Sequence, residues 1–204
     1  MSKPLPVTLD LTNRSVIVVG GGRIAEKRVN TLVESGVIPT LISPELTGHL
    51  FKLRKRQMIK WEKKTFEPRD LSDAGLIVIA TNHEEVNQAV RDAAPHWALI
   101  NDASNAEKGN VMIPAQFNRG RLSISISTNG ASPYLSRQIK SDLEKQYDEK
   151  YEEYVDFLYE ARQLIKKSLL SKEMQRNLLK ELLADQFFLK EYQRKMLDWL
   201  QTLC

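Results

Sequence analysis

The stretch SVIVVGGGRIAEKRVNTLVESG, residues 15–36, decides the fold. Residues 15–19 run SVIVV, with Val and Ile uninterrupted, as in a strand buried on both faces. Three glycines follow, and residues 24–35 then read as a helix ended by Gly36. Strand, turn and helix in that order give the GxGxxA fingerprint its required context, here Gly20-Gly21-Gly22-Arg23-Ile24-Ala25. Gly20 permits the tight turn, Gly22 lets the backbone approach a diphosphate because it has no Cβ, and the small Ala25 lets the helix lie close on the sheet. First-turn N–H groups then face the phosphates. The helix dipole contributes only about 0.3 to 1 kcal/mol per anionic partner, so affinity must rest on several aligned hydrogen bonds.

The alternation of strand and helix continues on either side of the turn. Residues 39–43 (PTLIS) read as a second strand, 46–57 as a helix, 58–62 as a third strand, 75–80 (GLIVIA) as a fourth, 84–94 as a helix and 98–101 as a fifth strand. This order is that of a Rossmann-like α/β domain with a parallel sheet. The fourth strand should lie beside the first at the topological switch, which makes Thr81 and Asn82 expected neighbours of the cofactor. Many NAD sites carry an acidic residue after the second strand to accept ribose hydroxyls; Ser43, Pro44 and Glu45 occupy that place. Arg23 keeps a 2′-phosphate open as the alternative, and NAD is the expected cofactor.

Beyond Pro114 the pattern changes. Leu122, Ile124 and Ile126 alternate with serines, a strand with one buried face that need not extend the first sheet. In the turn Thr128-Asn129-Gly130-Ala131-Ser132-Pro133, Ser132 is placed to cap a helix that begins at Pro133. From Tyr134 onward the chain is nearly free of Gly and Pro and rich in helix formers, which suggests two or three helices. Leu178, Leu179, Leu182 and Leu183 recur at helical spacing, and Ser171 with Met174 makes an imperfect capping box. The expected division is residues 1–113, 114–145 and 146–204: a Rossmann domain, a small strand-containing region and a helical tail.

Of the 204 residues, 42% are hydrophobic and 27% charged, an ordinary globular composition. No apolar run reaches the roughly 20 residues that span a bilayer, and residues 1–6 lack a secretory signal, so a cytoplasmic protein is expected. Cys204 is the one cysteine, and His49, His83 and His96 are scattered, so neither a disulfide nor a metal site is indicated. A net charge of +4, from 30 basic and 26 acidic residues, is no nucleic-acid signature but suits an anionic small molecule.

Four stretches together resemble the precorrin-2 dehydrogenase and sirohydrochlorin ferrochelatase family of siroheme synthesis. They are PLPVTLDLTNRSVIVVGGG (4–22), VVGGGRIAEKR (18–28), IATNHEEVNQAV (79–90) and IPAQFNRGRLSISISTNGASPYLSRQIK (113–140), so the resemblance covers about residues 4–145. It implies a homodimer with a central dimerisation region, no methyltransferase domain, and NAD-dependent oxidation of precorrin-2 to sirohydrochlorin. It also implies a functional aspartate at the position of Ser104, with Asp102 two residues away. Ser104 cannot hold a charge at neutral pH, so iron insertion is not expected. The substrate is a tetrapyrrole bearing several carboxylates, which call for basic groups and N–H donors. Asn129, Gly130, Ser132, Arg137 and Lys140, with free amides over residues 131–135, are the candidates, and Arg119 and Arg121 are further ones. The alternative readings are a bifunctional enzyme that also inserts iron and a non-catalytic NAD-sensing module.

Overall fold

The computed structural model describes residues 4–203; residues 1–3 and Cys204, on which the readings of the start and of the lone cysteine fall, lie outside the described residues. The chain divides into two compact units between Ile113 and Pro114.

The first unit is built on β1 (Ser15–Val19), α1 (Arg23–Glu34), β2 (Thr40–Ile42), α2 (Gly48–Lys55), β3 (Lys60–Glu62), β4 (Ala74–Ile79), α3 (Glu84–Ala93) and β5 (Leu99–Asp102). All five strands are parallel, in the order β3-β2-β1-β4-β5. The reason lies in the alternation of side chains along each strand. Val16 and Val18 of β1 pack with Ala25, Val29 and Leu32 of α1 and with Leu50 and Leu53 of α2. Ile17 and Val19 point the other way, to Ile77 and Ile79 of β4, Val90 of α3 and Ala98. A sheet covered on both faces can have no polar side, and the unbroken apolar runs of β1 and β4 follow from that. The edge strand β3 is three residues long and exposes Lys60 and Glu62, which discourages pairing with another sheet.

One boundary differs in an instructive way. The second helix begins at Gly48 rather than residue 46, because Thr47 caps it with its side chain, accepting from Leu50 N at 3.3 Å. Residues 44–46 instead run as loop, and Thr47 N donates to Gly21 O at 3.0 Å.

In the second unit β6 (Ala115–Arg119) and β7 (Leu122–Ile126) form an antiparallel hairpin separate from the parallel sheet. The sequence pattern announces β7 but not β6, whose buried residue is Phe117. Among the described residues four α-helices follow, not two or three: α4 (Pro133–Gln146), α5 (Lys150–Lys167), α6 (Lys172–Glu181) and α7 (Lys190–Gln201). Their breaks are set by capping and burial rather than by Gly or Pro. Ser171 accepts from Met174 N at 3.3 Å to open α6, and between α6 and α7 a 3-10 turn, Asp185–Phe188, folds in to bury Phe187. Tyr154, Phe157, Ala161 and Ile165 make one face of α5 and pack with Leu182, Phe187 and Leu200. The Tyr154 hydroxyl donates to Leu182 O at 2.9 Å, so the one polar tip in this core is satisfied. Among the described residues no helix is long and apolar enough to cross a membrane.

Candidate active site

The Gly-rich turn joins the end of β1 to α1, and its glycines have different duties. Gly20 has φ +128°, and a Cβ there would lie 2.3 Å from Ala80 O after β4. At Gly21 a Cβ would lie 1.9 Å from Glu45 O and 2.6 Å from Ser43 Oγ. Backbone from three strand ends thus meets at these two residues. A Cβ on Gly22 would meet nothing within 4 Å, so space is open above it. Gly22 is the N-cap of α1 and supplies no side-chain cap, which leaves first-turn donors to an incoming anion. Ala25 is fully buried against the sheet, while Arg23 and Ile24 are exposed. The steric need for glycine at position 21 goes unnoticed in the GxGxxA pattern, where that position is free.

After β2, Ser43 is buried and its hydroxyl donates to Glu45 O at 2.8 Å, so this side chain braces the loop. Trp61 Nε1 donates to Ser43 O at 3.0 Å. Pro44 and Glu45, both exposed, border an open depression of about 360 Å³ with Phe51, Trp61 and Lys63. Of the two polar candidates at this strand end, Glu45 has its side chain toward solvent.

The ends of β4 and β5 are tied by a polar network. Asn87 of α3, 1% exposed, accepts from Thr81 Oγ1 at 2.6 Å and donates through Nδ2 to Thr81 O and Ser104 Oγ, each at 3.2 Å. Ser104 Oγ donates to Asp102 Oδ1 at 2.6 Å, and the same oxygen accepts from Ser104 N and Asn105 N. Arg91 Nη1 donates to Asp102 Oδ2 at 2.5 Å, and Arg91 Nη2 and Lys108 Nζ both reach Glu84 Oε1. The Asp102 side chain is fully buried. Burial alone pushes it up, but hydrogen bonds from the Ser104 hydroxyl, the Asn105 and Ser104 amides and Arg91 together hold it below the usual carboxylate range. Both its oxygens are occupied, so Asp102 is anchored as an internal anion. Ser104 and Asn82 are exposed and Thr81 half-buried. Asn87 and Arg91 escaped the sequence reading; the one signal was an asparagine on the apolar face of α3.

In the second unit, three of the amides expected to be free are engaged. Ala131 N donates to Thr128 O, Ser132 N to Thr128 Oγ1, and Leu135 N to Ser132 Oγ. That corrects the expectation of open N–H groups at Ala131, Ser132 and Leu135, while Pro133 has no N–H to offer. Arg137 is exposed, bonded to Pro133 O and set 4.5 Å from the Tyr134 ring centroid. Lys140 lies one turn further, 3.5 Å from Glu144. Asn129 (φ +50°) and Gly130 (φ +85°) form the exposed turn before Ser132. Arg121 is spent internally: it bonds Asp156 at 3.1 Å and covers Tyr159 at 3.7 Å, pinning the hairpin to α5. Arg119 likewise covers Phe117 at 5.3 Å and bonds Asn118 O.

Residues 7–115 match a family described as putative NAD(P)-binding, residues 119–146 the sirohaem biosynthesis protein central family, and residues 151–196 the SirC C-terminal domain. The precorrin-2 dehydrogenase of Priestia megaterium is 41% identical over 97% of this chain and 96% of its own. The chain belongs to the precorrin-2 dehydrogenase family. That of Bacillus subtilis (strain 168) is 35% identical over 78% of this chain and 98% of its own. A siroheme synthase of Xylella fastidiosa (strain M12) is 32% identical over 88% of this chain but only 38% of its own. A solved structure titled SirC, precorrin-2 dehydrogenase, superposes with a TM-score of 0.89 at 39% identity, covering 98% of this chain and all of that one. Family likeness therefore extends through α5 and α6 into α7, further than the four stretches that end near residue 145. Membership makes the protein an NAD-dependent dehydrogenase with a Rossmann-type domain, and sets aside the non-catalytic sensor.

Two tests follow from the site. Gly22→Asp should abolish NAD binding by calorimetry yet keep or raise the melting temperature, since aspartate is a favourable N-cap. Gly21→Ala should lose both binding and several degrees of melting temperature, because its Cβ collides with backbone. Equal effects of the two would refute the separate duties. Asp102→Asn should cost about 1.5 to 3 kcal/mol at pH 7 in urea titrations. Because the folded carboxyl lies lower than the unfolded value of about 3.9, the wild-type advantage is complete above that pH and vanishes as pH falls through the folded value. A pH-independent difference would contradict this assignment.

Proposed function

We propose that the chain oxidises precorrin-2 to sirohydrochlorin, passing a hydride to NAD held at the Gly20–Gly22 turn. The observation that carries this reading is the open, uncapped start of α1 beside the ends of β1 and β4, in a chain that matches precorrin-2 dehydrogenases over almost its whole length. The Gly22 position and the first-turn amides around Arg23 and Ile24 receive the diphosphate. Glu45 takes the ribose hydroxyls at the border of the depression, with Ser43 and Pro44 holding the loop in place. Thr81 and Asn82 border the nicotinamide end. When bound, NAD supplies the hydride acceptor, and the protein's share is orientation.

On the substrate side, Arg137 and Lys140 bind carboxylates of the tetrapyrrole by charge-assisted hydrogen bonds, with Asn129, Gly130 and Ser132 shaping the turn before them. Iron insertion requires a group to take pyrrole protons. The Ser104 hydroxyl gives its own proton to Asp102, and Asp102 is buried, so this reading is a dehydrogenase without chelatase activity. Residues 1–113 bind the nucleotide, 114–145 bind substrate and form a homodimer, and 146–204 make the helical tail. The reaction takes place in the cytoplasm.

The deciding experiment mixes purified protein, NAD and precorrin-2 and follows the absorbance of NADH. No NADH, together with no calorimetric binding of NAD, would overturn the proposal. Arg137→Ala should raise the KM for precorrin-2 about tenfold, the loss of one charge-assisted bond, with NAD affinity unchanged. Unchanged kinetics would remove Arg137 from the site.

A further inference from the structure

Asn87 is a buried amide on the face of α3 that otherwise carries Val86 and Val90 into the core. An apolar residue would serve packing there without the cost of desolvating an amide, so what its hydrogen bonds organise needs an explanation. Its orientation is fixed by its partners. The Thr81 carbonyl can only accept, so Nδ2 faces Thr81 O and Ser104, and Oδ1 faces the Thr81 hydroxyl. The Ser104 hydroxyl has one hydrogen and two lone pairs. Its hydrogen goes to Asp102, which as a carboxylate can only accept, and one lone pair takes Nδ2 of Asn87. What Ser104, an exposed residue, offers outward is one lone pair and no proton.

We infer that Asn87 is a positioning residue that acts on the substrate through Ser104, locking its hydroxyl as a pure acceptor for a ring N–H of the reduced tetrapyrrole. This rests on the reading of the crevice as the hydride-transfer site, and adds to it a contact with the macrocycle interior that the carboxylate-binding residues do not provide. The same amide holds Thr81 O, so one side chain sets the loop after β4 and the hydroxyl after β5 in a common frame.

A double-mutant cycle in the full-length protein tests this. Ser104→Ala should lower kcat/KM for precorrin-2 about tenfold with the calorimetric Kd for NAD unchanged, and Ser104→Thr should restore it. Asn87→Asp, which replaces the donor with an acceptor, should produce a loss of similar size. Combined with Ser104→Ala its loss should be clearly less than additive, because both changes remove the Asn87–Ser104 contact while Asn87→Asp alone also releases Thr81 O. Should Asn87→Asp not fold, Asn87→Ser takes its place in the cycle. Additive losses, or wild-type kcat/KM in the well-folded Ser104→Ala protein, would overturn the inference. A wild-type protein that neither binds NAD nor forms NADH would overturn the underlying reading with it, whereas an active wild type beside an unaffected Ser104→Ala protein sinks this inference alone.

Discussion

Three pieces of main chain crowd together at Gly20 and Gly21, and the arrangement of the first unit depends on that contact. Ala80 O, after β4, and Glu45 O, after β2, both occupy positions where a side chain on the turn would have to stand. With no Cβ in the way, β1 can deliver its carboxyl end between its two neighbours, Gly20 N can donate to Ile42 O, and Ala80 N to Val19 O. The strand ends are then level at the point where the sheet order reverses, which is where α/β sheets leave a crevice. Everything proposed for nucleotide binding presupposes this alignment.

A second constraint is electrostatic. Placing Asp102 at the end of β5 with its side chain fully out of solvent is unfavourable unless its charge is matched and its lone pairs filled. Arg91 supplies the charge, while Ser104 and Asn105 supply the remaining donors. The loop after β5 therefore has little freedom: three of its groups are committed to one carboxylate. Rigid first contacts of this kind suit a reaction in which two rings must be held at a set distance, since misplacement by an ångström costs orders of magnitude in rate.

Much of the parallel sheet is legible in the sequence because two-faced burial forces unbroken Val and Ile runs, and β1 begins and ends where the letters change. The Gly-rich turn is legible for a related reason: its residues are dictated by backbone geometry that few side chains tolerate. What escapes is whatever depends on partners distant in the chain. Phe117 looks like an isolated aromatic until β7 pairs with its strand. The break between α6 and α7 has no glycine or proline to mark it; it exists because Phe187 must reach the face of Phe157, at 5.5 Å between ring centroids. Nor do the letters show that the Ser43 hydroxyl turns onto the carbonyl of Glu45, a bond that exists only once the loop after β2 is folded. The settings of Asp102 and Ser104 likewise depend on Arg91 and Asn87, eleven and seventeen residues upstream respectively.

The bare start of α1 has a consequence for the life of the protein outside catalysis. A helix whose leading amides lack an internal partner is held less firmly than one closed by a serine or threonine, such as α2 or α4. A dinucleotide seated there, as proposed, would complete the helix from outside, and at a hundredfold excess over its dissociation constant would add about 2.7 kcal/mol against unfolding. Resistance to unfolding, and to proteolysis of the opened state, would thereby rise with the concentration of free coenzyme.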